Sequence, residues 1–243
     1  AFLESRNTLL KPKDIQEMEA PVLVRIPQLK AAALAKSGME APAVEFHRLA
    51  STISLTTLKK NRLLVTSSNT GEGKTTTTLG LARALVDFGF RVLIVDGDFR
   101  KAELSRRLGH GMRRETQTVP QPVQVSPGLD LLPAVIGLDS KVMEYVARGR
   151  FEQHLNLVQT SGNYDYVVID SAPAGLTGET PLMARVVNEV LLVVRMGVSD
   201  RYMVQETLEQ LMRHNAHIIG LALNGTEQRS DTYAYKPSGV NAG

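Results

Sequence analysis

Three short stretches of this sequence combine residue types that could act on phosphate. The first is Ser68-Asn69-Thr70-Gly71-Glu72-Gly73-Lys74-Thr75-Thr76. Its glycines permit a tight turn whose backbone N–H groups point inward, and a helix opening at Thr75 would add its own amides to the same nest. Lys74 supplies a point charge for β- and γ-phosphates, and the Thr75 hydroxyl suits a Mg²⁺ ion. The second is Val95-Asp96-Gly97-Asp98-Phe99-Arg100. Carboxylates two residues apart point the same way if the chain stays extended. Beside a phosphate nest, Asp96 and Asp98 could hold Mg²⁺ and accept a proton from an attacking hydroxyl, and Arg100 could neutralise a transferring phosphoryl group. The third is Val168-Ile169-Asp170-Ser171-Ala172-Pro173, where Asp170 ends an apolar run and can orient Mg²⁺ or its waters. Taken singly, each stretch also reads as an ordinary turn or helix cap. Their combination is far more specific than the parts.

The surrounding pattern can bring them together. Apolar runs at 63–66, 92–95, 129–132, 166–169, 190–194 and 218–223 read as strands. Helical patterns fall at 44–58, 75–88, 101–108, 138–160 and 200–214, while 110–127 reads as an irregular loop. Continuous apolar strands alternating with helices predict an α/β fold, a mostly parallel sheet covered by helices on both faces. Ligands of such sheets bind at the carboxyl ends of the strands, where all three stretches lie. Residues 1–43 read as a small separate element and linker, with a short helical pattern around Ile15 and Met18 and a strand over Val22–Ile26. Residues 44–224 form the main domain, and 225–243 read as a flexible polar tail.

Composition narrows the classes. The chain has 243 residues, 43% of them hydrophobic and 22% charged, which suits one good core and excludes wholesale disorder. It lacks cysteine, so disulfide scaffolds, Cys-based zinc sites and cysteine nucleophiles are excluded. Tryptophan is also absent and aromatics are 5%, which argues against base stacking and a nucleic-acid partner. A net charge of +3 does not by itself call for a polyanion. No apolar run approaches the ~18 residues of a membrane span.

These residues resemble the bacterial tyrosine kinases (BY-kinases), the cytoplasmic kinase modules of polysaccharide co-polymerases on the MinD/ParA-like branch of P-loop proteins. That family's Walker A follows an apolar strand as S-x-x-P-G-E-G-K-[ST], and Ser67 to Thr75 fit it with Thr70 in place of Pro. Asp96, Asp98 and Arg100 resemble its D-x-D-x-R element, and Val167 to Pro173 its Walker B. The resemblance implies ATP and Mg²⁺, with Thr70, Gly71, Glu72, Gly73, Lys74, Thr75 and Thr76 around the nucleotide. It implies that Lys74 binds phosphate, that Asp96 is base and metal ligand, and that Thr75, Asp98 and Asp170 also serve the metal. MinD/ParA relatives carry a signature Lys where this chain has Asn69, so its absence favours the kinase branch. Asn224 matches the Asn that commonly reads adenine in this superfamily.

The same resemblance implies protein-tyrosine autophosphorylation between neighbouring copies, regulating capsule or exopolysaccharide polymerisation and export. Glu45 and Arg48 match part of an E-x-x-R-x-x-R helix that builds kinase rings, with Ser51 at the second Arg. Tyr233 and Tyr235 stand for the tail tyrosines that neighbours phosphorylate. The N-terminal stretch is similar to the segment following the second transmembrane helix of co-polymerases. With Ala1 rather than Met at the start, the expectation is a piece of a longer protein anchored at the cytoplasmic face of the bacterial inner membrane. Its partners would be its own copies, a membrane-embedded co-polymerase portion or adaptor, and a tyrosine phosphatase. The alternative is a MinD/ParA-like ATPase switch that acts on a membrane or polymer partner without phosphorylating tyrosine.

Other residues have plainer readings. Arg106, Arg107, Arg113 and Arg114 read as solvated surface, or as a dock for an acidic or phosphorylated tail. His214 and His217 read as surface residues at a helix end rather than a metal site. Tyr145, Tyr166 and Tyr202 read as packing or surface residues, and Tyr164 is open.

Overall fold

The computed structural model describes residues 8–28, 43–110, 113–114, 121–136 and 141–227. Eight strands form one sheet. They are β1 (Val22–Pro27), β2 (Arg62–Ser67), β3 (Val92–Gly97), β5 (Val123–Ser126), β6 (Leu129–Leu132), β8 (Tyr166–Ser171), β9 (Glu189–Arg195) and β10 (His217–Thr226). Their spatial order is β1-β10-β9-β2-β8-β3-β6-β5, and every neighbouring pair is parallel except β5 with β6. Two-residue strands β4 (Arg113–Arg114) and β7 (Val135–Ile136) pair apart from it. This is the α/β, mostly parallel sheet expected from the uninterrupted apolar runs.

Side-chain alternation divides the core in two. Leu63, Val65, Val92 and Ile94 face one side, where α2 (Ala43–Leu55), α3 (Lys74–Asp87) and α4 (Glu103–Arg107) lie. Leu64, Leu93 and Val95 face the other, under α1 (Pro12–Gln16), α5 (Val142–Ala147), α6 (Arg150–Gly162), α7 (Glu179–Val187) and α8 (Arg201–Arg213). Central strands are therefore apolar on both faces and give no period-2 pattern.

Several expectations need correction. Residues 22–27 are not a separate element: β1 is an edge strand of the main sheet, parallel to β10. Leu10 and Ile15 enter the same core as the central strands, so docking on the domain buries what an independent element would leave exposed. The last strand continues through Asn224 to Thr226, so the described fold extends beyond residue 224. Residues 123–126 are an edge strand within the stretch read as loop, turned back on β6 through Gly128 at φ 79°. Helix α7 went unseen because Pro173, Gly175, Gly178 and Pro181 punctuate its start. Pro181 is tolerated because its missing N–H falls in the first turn, where it has no intrahelical acceptor.

Helices α2 and α3 meet at one close approach. Gly80 in α3 lies so near the Phe46 ring that a Cβ there would overlap it. Gly80→Val is expected to lower stability by about 1–3 kcal/mol, the usual cost of overpacking. Urea unfolding checks this, and an unchanged midpoint would contradict the tight α2–α3 contact.

Candidate nucleotide and phosphoryl-transfer site

The phosphate loop bridges the end of β2 and the start of α3. Gly71 and Gly73 have φ of 76° and 104°, backbone states that L side chains resist. Gly73 also abuts Asn224, whose amide nitrogen occupies the space a Cβ would need. Glu72 braces the loop from within and is fully buried. Its carboxylate accepts from the Ser68 hydroxyl at 2.8 Å, the Asn69 N–H at 2.9 Å and the Ser199 hydroxyl. The Arg195 N–H donates to Ser199 Oγ at 2.8 Å, and its guanidinium donates to the Gly71 carbonyl at 3.1 Å.

Strand register then assembles the acids. Asp170 on β8 stands opposite Val65 on β2 and opposite Asp96 on β3. The Thr75 hydroxyl at the start of α3 donates to Asp170 Oδ2 at 2.7 Å. Asp170 Oδ1 is buried with no hydrogen-bond partner. Asp96 Oδ2 accepts from the Ser105 N–H at 2.8 Å and the Ser105 hydroxyl at 2.7 Å, and Oδ1 from the Asp98 N–H at 3.3 Å. Asp98 Oδ1 accepts from the Arg100 and Lys101 amides at 3.2 and 3.0 Å, closing the turn after β3.

Burial governs the electrostatics. Loss of water raises Asp170 to about 7 despite the Thr75 bond, with Asp96 and Asp98 adding repulsion and Lys74 opposing it. Burial likewise raises Asp96 to about 6 against the two Ser105 bonds. Burial lowers the Lys74 ammonium, while Asp170, Asp98, Glu72 and Glu103 pull it back up.

Two expected site residues have close protein partners. The Arg100 guanidinium forks onto Glu179 at the start of α7, with Nε to Oε1 at 2.8 Å and a second bond at 3.4 Å. Asn224 donates to the Glu72 carbonyl at 2.9 Å and accepts from the Gly225 N–H at 2.9 Å, so its amide is tied to the loop. Glu45 and Arg48 are far along the chain on α2 and bond each other at 3.1 Å. Tyr233 and Tyr235 lie outside the described residues. Ser105, Glu179 and Ser199 were not singled out from sequence, because only the fold brings them beside Asp96, Arg100 and Glu72.

Among the described residues, no group of three or more His, Cys, Asp or Glu stands ready to hold a metal ion. Nor is any described helix long and apolar enough to cross a membrane.

A glycine-bounded phosphate nest at the carboxyl end of a parallel sheet, with acids at the ends of the adjacent strand β8 and of β3 beyond it, defines a P-loop nucleotide-binding protein. The chain belongs to the CobQ/CobB/MinD/ParA nucleotide binding domain family, which matches residues 63–235. It is 26% identical over 190 residues to the tyrosine-protein kinase CpsD of Streptococcus agalactiae, covering 72% of this chain and 79% of that protein. It is 26% identical over 191 residues to the tyrosine-protein kinase YwqD of Bacillus subtilis, covering 71% and 76%. Among solved structures, the kinase domain of the Escherichia coli tyrosine kinase ETK superposes with a TM-score of 0.76 at 20% identity, over 95% of this chain and 99% of that one. MinD in the Aquifex aeolicus MinC:MinD complex superposes at 0.55 and 23% identity, over 68% of each chain. The resemblance to bacterial tyrosine kinases within the MinD/ParA-like fold is borne out.

Two substitutions test this geometry. Glu72→Ala removes the acceptor for two hydroxyls and one amide, and is expected to cost about 2–4 kcal/mol and weaken nucleotide binding. Chemical denaturation and nucleotide titration measure the two effects. The second substitution concerns Asp170. Folded-state pKa values raised to about 6 and 7 mean that the nucleotide-free fold keeps protons the unfolded chain releases. Its stability therefore falls as pH rises from about 4 to about 7, and then levels. Asp170→Asn removes its share, so thermal melts from pH 5 to 8 should fall less steeply than wild type. A steeper fall would contradict the buried-carboxylate assignment.

Proposed function

We propose that this chain is an ATP-dependent protein-tyrosine kinase. The observation that carries the reading is the register of β2, β8 and β3, which gathers Lys74, Thr75, Asp170, Asp96 and Asp98 at one end of the sheet. The names of its relatives supply the acceptor class, tyrosine.

ATP is the phosphoryl donor. Amides of the loop and of the α3 N-terminus bind its phosphates, and Lys74 adds positive charge. A Mg²⁺ ion fits beside Thr75 and Asp170, because Asp170 Oδ1 is a buried carboxylate oxygen with no protein hydrogen-bond partner. Asp96 faces the same ground from β3, and Asp98 lies in the turn that follows it. When bound, the ion would neutralise phosphate charge that develops during transfer. The tyrosine oxygen attacks the γ-phosphorus in line, and the bond to the β–γ bridging oxygen breaks, giving phosphotyrosine and ADP. Asp96 takes the phenolic proton. A carboxylate raised to about 6 suits a general base near neutral pH, and Ser105 fixes its orientation.

The acceptors in this reading are Tyr233 and Tyr235 of neighbouring copies. Three of the other four tyrosines are held within the fold, and the fourth, Tyr202, is exposed beside Arg201. Tyr164 and Tyr166 are buried, and the Tyr164 hydroxyl donates to Asp130 at 2.6 Å. The Tyr145 hydroxyl is bonded to His154 at 2.9 Å, and the Tyr202 ring lies under the Arg201 guanidinium. Glu45 and Arg48 on the exposed face of α2 are the proposed contact between copies. The setting is the cytoplasmic face of the inner membrane beside a polysaccharide co-polymerase or adaptor, with a phosphatase reversing the modification.

Phosphotyrosine mapping by mass spectrometry after incubation with Mg-ATP is the test. Lys74→Met should abolish labelling from γ-labelled ATP, and replacing Tyr233 and Tyr235 with Phe should remove most of it. ATP hydrolysis without phosphotyrosine would replace this reading with the ATPase switch.

A further inference from the structure

Of the arginines that read as one basic surface, Arg106 and Arg107 are not equivalent. Arg107, at the end of α4, reaches across to α3, where Nη1 donates to Thr76 Oγ1 at 3.0 Å. Its Nη2 pairs with Glu103 Oε1 at 3.0 Å, one helical turn back. No such contact with the phosphate loop is made by Arg106 among the described residues.

We propose that Arg107 is a nucleotide ligand that binds the α-phosphate. Thr76 lies in the first turn of α3, whose amides have no intrahelical acceptors and face a bound phosphate. Within that turn, Thr75 directs its hydroxyl to Asp170. Thr76 is turned about 100° around the axis from it, toward α4. Phosphates seated on the turn therefore have two flanks. The Lys74–Thr75–Asp170 flank serves the β- and γ-phosphates. The Thr76–Arg107 flank is left for the α-phosphate. A guanidinium carries five N–H donors in a planar fork, so Nη1 can share Thr76 and phosphate while Nη2 stays on Glu103. The Glu103–Arg107 pair is half exposed on both sides and adds little stability of its own. It does hold the fork beside Thr76.

This inference rests on the nucleotide-binding reading, and the experiment separates the two. Calorimetric titration of the full chain with Mg-ATP and with Mg-ADP gives the affinities of wild type, Arg107→Ala, Arg107→Lys and Arg106→Ala. Arg107→Ala should weaken ATP and ADP alike by about tenfold, the scale of one charge-assisted hydrogen bond. Lys should restore part of the loss, and Arg106→Ala should match wild type. Unchanged affinity in Arg107→Ala overturns the proposal. A loss confined to ATP moves the contact to the γ-phosphate and overturns the α assignment. Wild type that binds neither nucleotide overturns the reading beneath it. If Arg107→Ala melts early, the ATP and ADP affinities of Arg107→Lys decide by the same criteria.

Discussion

Asp170 lies between two strands, and the register on either side of it sets the site. Opposite it on β2 is Val65, so the chain reaches the phosphate loop just beyond the acid. Opposite it on β3 is Asp96, so the second acid comes level with the first. A slip of one residue in either pairing would turn these side chains to the opposite face. The arrangement costs stability in the nucleotide-free protein, since carboxylates are held near one another away from water with Lys74 as the cation among them. Burying charge where a ligand will later compensate it is a common bargain at functional sites.

The loop itself depends on a different carboxylate. Glu72 joins Ser68, Asn69 and Ser199, while its carbonyl holds Asn224. The phosphate nest is thereby fixed to the turn before α8 and to β10, on the side of the sheet away from Asp96. The N-terminal residues belong to the same arrangement, because the Leu10 N–H donates to the Ser199 carbonyl at 2.8 Å. A loop built of glycine and small polar residues has little packing of its own. Its shape is imposed by buried hydrogen bonds to other elements.

Much of this was legible in the sequence because it is local. Lys74 and Thr75 announce themselves by spacing, and Asp96 and Asp170 by ending apolar runs. What was hidden is non-local or locally contradictory. Nothing near Glu72 points to Ser199, and nothing near Arg100 points to Glu179. Arg107 looked like its neighbours until α4 was placed against α3. Helix α7 was masked by its own glycines and prolines. Strand β1 carried the right pattern, but its partner β10 lies at the other end of the described chain.

The two rims of the sheet have a bearing on solubility. An open row of backbone donors and acceptors can template pairing with another chain. Here β1, on one rim, has irregular register at both ends, an outward Arg25 and Pro27 at its close. Strand β5, on the other, has four residues, follows Pro122 and is irregular between Gln124 and Ser126. Both margins are short and interrupted, with proline beside each. Sheets of separate molecules are thus poorly suited to zip together along their edges.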